Sequence, residues 1–162
     1  MTTKPQGLDH SGAHGAEPTG SVVIFTDITE EALEPLAAAA KAQGMTEAMG
    51  ALVVFDGIVR NHDHGSAVRG LSYSAHPQAK EYIARVVQSV ADELEGVRLW
   101  AVHRVGPIAI GESALTVLAA AAHRGRAFEA CEAVADRVKA QVPIWKEQEL
   151  TDGSTEWVGI DT

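Results

Sequence analysis

Two lysines bracket a proline turn near the C-terminal end, in Lys139-Ala140-Gln141-Val142-Pro143-Ile144-Trp145-Lys146. Phe128, Cys131, Val134 and Val138 recur at helical spacing. The helix they predict has to stop before Pro143, because proline disfavours helical geometry in the residue ahead of it. Lys139 then falls in the last helical turn, and Ile144-Trp145-Lys146 resumes as extended chain, so a tight reversal can bring Lys146 back towards Lys139. Two ammonium groups brought close repel unless solvent separates them or an anion sits between them, and a crowded lysine gives up its proton more readily. The alternative for such a pair is an ordinary solvated surface, and the residues around it decide between the two.

Arg60 stands where a predicted strand gives way to a polar loop, and His123-Arg124 stands at a junction between strand and helix. Side chains at such positions leave the scaffold and face a ligand. The start of the helix over 124–140 also offers free backbone N–H groups, which favour an anion such as phosphate. Arg60, His123, Arg124, Lys139 and Lys146 are therefore candidates to converge on one phosphate-bearing molecule, with structural salt bridges as the alternative for each. His62 and His64 alternate in an extended loop, but two imidazoles with no third ligand at a recognisable spacing point to a solvated loop rather than a metal site. His103-Arg104 lies inside a predicted strand, where a hydrogen-bonded structural role is expected. Cys131 belongs to the apolar helix stripe and is expected to be a small core residue. No Ser-His-Asp arrangement, phosphate-binding glycine loop or dinucleotide fingerprint is present.

The chain has 162 residues and 46% hydrophobic content, enough for one domain with a real core. Its formal net charge of -9 argues against general nucleic-acid binding, so an anionic ligand has to be met by a local basic pocket. Between Ala121 and Lys146 the sign reverses: Arg124, Arg126, Arg137, Lys139 and Lys146 stand against Glu129, Glu132 and Asp136. A single cysteine forms no internal disulfide, and no apolar run is long enough to cross a membrane, so a cytoplasmic protein is expected. Residues 1–20, rich in Gly, His, Pro and Ser and without a secretory apolar stretch, are expected to be a disordered tail ahead of a single domain over 21–162.

The elements that must position these residues can be placed from periodicity. Ser21 to Phe25 predicts a strand, and Asp27-Ile28-Thr29-Glu30 has the form of a capping box opening a helix that runs to Lys41. Met49 to Val59 is strand-like, with Gly57 marking a bulge or a close backbone approach, and Val68 to Ser74 is expected to return beside it as a hairpin with a long polar tip. A helix from Pro77 follows, with Tyr82, Ile83, Val86, Val87, Val90 and Leu94 on one face and Gly96 as its stop. Val97 to Val105 and Ser113 to Ala121 predict strands separated by turn material at Gly106-Pro107 and Gly111. The helix over 124–140, the strand Val142 to Leu150, an Asp152-Gly153 turn and the strand Glu156-Trp157-Val158 complete the order. That order favours an α+β fold with mostly antiparallel pairing.

Four stretches carry a family resemblance: Gly50-Ala51-Leu52-Val53-Val54-Phe55-Asp56-Gly57-Ile58-Val59-Arg60-Asn61-His62; Val102-His103-Arg104-Val105-Gly106; Ala122-His123-Arg124 with Ala127-Phe128-Glu129-Ala130; and Lys139 through Lys146 with Trp157-Val158. In order and spacing they resemble the large, catalytic subunit of molybdopterin synthase, from about Gly50 onward. The resemblance implies an α/β hammerhead-type fold and a homodimer that binds two small, ubiquitin-like sulfur-carrier subunits, making a heterotetramer. It implies a sulfurtransferase: two sulfurs pass from thiocarboxylates at the carriers' Gly-Gly ends to cyclic pyranopterin monophosphate, giving the dithiolene of molybdopterin, without a metal or other cofactor held by this chain. By the same resemblance Ile58, Val59, Arg60, His123, Arg124, Lys139, Lys146, Glu147 and Gln148 are substrate-pocket residues. Lys139 and Lys146 carry the chemistry, Arg60 and Arg124 hold phosphate, and part of the pocket comes from the dimer partner. The sequence ends Gly159-Ile160-Asp161-Thr162 rather than Gly-Gly, so the carrier is expected to be a separate polypeptide. Ser74 and His76 replace an acidic residue and a tyrosine frequent in that family, and Ile58 replaces a bulky or basic one. The rival readings are an anion-binding scaffold without turnover, and an enzyme using Lys139 as a Schiff-base nucleophile.

Overall fold

The computed structural model describes residues 20–63 and 65–159. The tail expected over 1–20 lies, but for Gly20, outside the described residues, as does His64. At the centre is β7 (Ser113–Ala121), buried at all nine of its positions. It lies between β5 (Arg98–Arg104) and β2 (Ala51–Ile58), both antiparallel to it, and β1 (Val22–Thr29) adds in parallel to β5, giving the order β1-β5-β7-β2.

The period-two alternation of these strands divides the core between the two faces of the sheet. Leu99, Ala101, Leu115, Val117, Ala119 and Ala121 face α2 (Ala79–Glu93) and α3 (Arg124–Gln141). Trp100, Val102 and Leu118 face Leu33, Ala37 and Ala40 of α1 (Leu33–Gly44). On α2 the stripe Ile83, Val86, Val87 and Val90 is fully inside, each side chain contributing about 1.5–3 kcal/mol by leaving water. Tyr82, expected on that face, is half exposed and stacks instead on Arg85, 5.2 Å away.

A second, wholly antiparallel sheet is built on β4 (Ser66–Ala75). Leu71, Ser72 and Tyr73 pair both with β6 (Gly106–Ile108) and with β8 (Ile144–Leu150), so these two strands flank β4. The two-residue β3 (His62–Asp63) joins β4 and β9 (Thr155–Val158) joins β8. Between the sheets Val59, Ile108 and Ala114 pack with Leu71 and Tyr73. The left-handed backbone of Gly106, at φ 82°, turns the chain from β5 into β6 and so from one sheet to the other. The result is the α+β, mostly antiparallel arrangement that the element order favours.

Three local expectations are corrected. Asp27-Glu30 caps no helix: β1 runs on through Thr29, paired with Arg104, because Ile28 is buried in the core and a helix starting there would remove it. Thr29 Oγ1 instead accepts from the Glu31 N–H in the connecting turn, 3.2 Å away. Strands β2 and β4 form no hairpin. The ladder of β2 on β7 is interrupted between Gly57 and Ile58, where the bulge expected at Gly57 does occur, and the chain crosses to the second sheet, whose short hairpin is β3–β4. Gly106-Pro107 is strand rather than turn, held by Ser72 and Tyr73 of β4.

The closest backbone approach is at Gly50 rather than Gly57. A Cβ at Gly50 would stand 2.5 Å from the Ala122 carbonyl oxygen, whereas one at Gly57 meets nothing nearer than 3.6 Å. Gly50→Ala is expected to destabilise the fold by roughly 1–3 kcal/mol, the usual cost of overpacking, and Gly57→Ala by less. Equilibrium unfolding in urea measures both.

Candidate active site

Helix α3, strand β2 and the β4–β8 pair surround a cavity of about 780 Å³. Strand alternation decides which side chains enter it. Tyr73 is opposite Lys146 and Leu71 opposite Gln148, and all four line the cavity. Glu147, opposite Ser72, is on the other face, where both line a separate depression.

The polar floor is organised by Asp63, which sits on the short β3 strand beside β4 and whose side chain reaches β8. Its Oδ2 accepts from Lys146 Nζ at 2.8 Å and from Gln148 Nε2 at 2.6 Å, and Arg60 NH2 stands 3.6 Å from Oδ1. Gln148 is 1% exposed, so its pairing to the carboxylate is enclosed, whereas the Arg60 side chain is 75% exposed and free to meet a ligand. Lys139 ends α3 exposed on the cavity rim, without a hydrogen-bond or ion-pair partner among the described residues. Ile58, half exposed, stands at the rim with Phe55 and Phe128. Val59 is buried beneath them, its N–H donating to the Glu112 carbonyl at 3.0 Å.

His123 and Arg124 do not reach the cavity of their own chain. His123 is the residue before α3 and Arg124 its first residue, while Lys139 comes 15 residues later in the same helix. At 1.5 Å per residue that is about 22 Å, a gap the two side chains do not close. Arg124 does share the helical stripe of Phe128, Cys131 and Ala135, which line the cavity, so it lies on the same face one turn beyond Phe128.

The basic surplus of 121–146 is not what lines the cavity. Arg60, Lys139 and Lys146 are balanced there by Asp63, Glu132 and Asp136. Arg137 is used between helices, bonded to Ser89 and Glu93 of α2, and Arg126 donates to the Glu95 carbonyl. Among the described residues no group of three or more His, Cys, Asp or Glu is placed to hold a metal ion, and His62 Nδ1 lies 2.6 Å from Asn61 Oδ1.

Three titratable groups line the wall, His103 and Cys131 buried and Tyr73 partly so. Burial pushes the Tyr73 hydroxyl up to about 12, helped by the negative charge of Asp63. Burial likewise pushes the Cys131 thiol up to about 11, against a hydrogen bond from the Phe55 backbone. A thiol so placed stays protonated near neutral pH, as expected of a small core residue. His103 sits edge-on to Tyr73, ring centroids 4.8 Å apart, with Nδ1 2.7 Å from the Arg104 carbonyl. That contact gives Nδ1 the hydrogen, and burial holds the ring neutral, with its pKa lowered to about 4. Asp63, the organiser of the floor, was not identifiable from sequence, because Lys146 and Gln148 of β8 reach it only through tertiary pairing. Tyr73 left one signal, the alternation of Leu71, Tyr73 and Ala75 along one strand face.

Arg60, Lys139 and Lys146 on one open cavity of a two-sheet α+β scaffold make a candidate anion site. Residues 28–141 match the family described as MoaE protein. Molybdopterin synthase catalytic subunit 1 of Mycobacterium tuberculosis is 38% identical over 111 residues, covering 68% of this chain and 75% of that protein. The crystal structure of molybdopterin synthase from Staphylococcus aureus superposes with a TM-score of 0.75 at 31% identity, over 82% of this chain and 95% of that one. A complex of subunits 1 and 2 of molybdopterin-converting factor from Helicobacter pylori gives 0.65 at 26% identity, over 83% and 88%. The chain belongs to the MoaE family, the catalytic subunits of molybdopterin synthase, and is a sulfurtransferase.

The neutral His103 makes acid sensitivity predictable. Its folded pKa of about 4 lies below the ordinary 6.5, so between those values the unfolded chain binds the proton that the folded chain refuses. Stability is full above pH 6.5 and falls as pH drops to 4, by up to about 3 kcal/mol. Denaturant unfolding at a series of pH values is expected to show this slope, and His103→Gln to flatten it.

Proposed function

We propose that this chain is the catalytic subunit that moves sulfur from the thiocarboxylated Gly-Gly terminus of a small ubiquitin-like carrier to cyclic pyranopterin monophosphate, in two transfers that build the molybdopterin dithiolene. Donor and acceptor are both anionic, and cationic side chains gather them. Each transfer replaces a carbon–oxygen bond of the pterin side chain by a carbon–sulfur bond, the displaced oxygen leaving as water or with the phosphate, and breaks the carrier's acyl carbon–sulfur bond, water supplying the oxygen that leaves the acyl carbon a carboxylate. Lys139, at the cavity rim with no partner among the described residues, orients the thiocarboxylate and moves protons as sulfur adds and oxygen leaves. Lys146 binds the anions, and Arg60 contacts the phosphate.

The observation that carries this reading is the placement of Arg60, Lys139 and Lys146 on one cavity. The charge balance of that cavity and the distance to Arg124 support a further part of it: the working unit is a homodimer in which His123 and Arg124 of a second copy complete the anion site, with one carrier docked on each copy. Ile58, Val59 and Gln148 shape the cavity wall, and Glu147 is at most a support from the opposite face of β8. Residues 21–162 act as one catalytic domain in the cytoplasm. A free, buried Cys131 and the absence, among the described residues, of a helix long and apolar enough to cross a membrane are consistent with that compartment.

The test is molybdopterin formation by the purified chain given the pterin substrate and a thiocarboxylated carrier. Lys139→Ala is expected to abolish single-turnover formation, and Lys139→Arg to restore little, because arginine does not give up a proton near neutral pH. Arg60→Ala is expected to weaken substrate binding by roughly 1.5–3 kcal/mol, the range for hydrogen bonds to a charged group, while leaving circular dichroism unchanged. Full activity in Lys139→Arg would reduce Lys139 to an anchoring charge.

A further inference from the structure

The chemistry above gives Asp63 no part, yet three of its residues converge on that carboxylate. Lys146 Nζ and Gln148 Nε2 share Oδ2 at 2.8 and 2.6 Å, and Arg60 NH2 is 3.6 Å from Oδ1. The Asp63 side chain is 11% exposed. An acidic group in a cavity meant for anions weakens their binding, and a buried carboxylate is costly to desolvate. Both costs fall at a point where a neutral, hydrogen-bonding side chain would have satisfied Gln148.

We infer that Asp63 is a positioning residue for sulfur transfer, acting through Lys146. A lysine ammonium rides on a flexible four-carbon stem and carries three donors. Fixing one donor on Asp63 Oδ2 sets the stem in advance and leaves two donors aimed by the rigid β4–β8 pair. Gln148, two residues along the same strand face, donates to the same oxygen and so restrains the carboxylate that holds the lysine. The two lysines are thereby made unequal: Lys146 is anchored before the substrate arrives, whereas Lys139 is left mobile for the transfer.

This role rests on the reading of Lys146 as a site residue, and a double-mutant cycle separates the two claims. The measurement is kcat and KM for molybdopterin formation, with thiocarboxylated carrier saturating and pterin substrate varied. Asp63→Asn is expected to lower kcat by roughly tenfold to a hundredfold, the scale of a small misplacement of a reacting group, without raising KM, because removing a negative charge favours anion binding. A residue that only stabilised the fold would give no such split. In a Lys146→Ala background the same change is expected to have no further effect on kcat. If Lys146→Ala were as active as the parent, the site reading would be what fails. If Lys146→Ala were slow while Asp63→Asn matched the parent, or if Asp63→Asn slowed both backgrounds equally, the positioning role would be overturned. Asp63→Ser, small and uncharged, is expected to repeat the kcat loss, and failure of both variants to fold would make the carboxylate a folding element and overturn the inference as well.

Discussion

The rigidity of α3 is the constraint on which the rest of the molecule turns. Its apolar stripe, Ala127, Ala130, Cys131, Val134 and Val138, is committed to the central sheet, so the helix can neither bend nor shorten without opening the core. Every functional residue it carries is placed by that commitment. Arg124 is held at one end and Lys139 at the other, about 22 Å apart along an unbroken helix. Pro143 then ends the helix and sends the chain into β8, which presents Lys146 and Gln148 to the cavity from a second, independent scaffold. The cavity is thus a seam between two sheets, and the proposed dimer answers the separation that the helix imposes.

Electrostatics in the seam are local rather than global. A chain with net charge -9 still offers an anion two cationic side chains that stand largely in solvent, Arg60 and Lys139, while the third, Lys146, is tied to a carboxylate. Two of the three arginines of the basic segment are spent on architecture: Arg137 ties α3 to Glu93 of α2, and Arg126 satisfies the Glu95 carbonyl just beyond that helix. Counting charge along a stretch of sequence therefore overstates what a ligand meets. The neutral groups Tyr73, His103 and Cys131 make one wall of low polarity, beside which Lys146 and Asp63 are the charges held out of water, while Arg60 and Lys139 remain screened by solvent.

Much of this was legible in the residues. Helical spacing from Phe128 to Val138, the stop before Pro143 and the strand over 113–121 follow from local chemistry, and each is where periodicity puts it. The failures share one cause. Asp27-Ile28-Thr29-Glu30 satisfies the local rule for a helix start, but the parallel ladder on β5 and the burial of Ile28 outweigh it. The β2–β4 hairpin was plausible by proximity in sequence, yet the partner of β2 is β7, more than fifty residues away, and nothing local encodes that choice. The same limit applies to the site. Arg60, Lys139 and Lys146 stand out by type and position, but Asp63 acquires its meaning only when β3 and β8 are both laid on β4. Glu147 could be separated from its neighbours only once the register of β8 was known, since adjacent residues of a strand face opposite ways.

The central claim, that one working site takes Lys139 from one copy and Arg124 from another, is tested most directly by mixing two defective chains. Lys139→Ala and Arg124→Ala chains are each expected to be nearly inactive alone. Co-expressed, half of the dimers would be mixed, and each mixed dimer would hold one site with both residues intact, so about a quarter of the parental molybdopterin formation should return. A co-expressed mixture that associates but gains nothing over its separate components would contradict a site shared between copies.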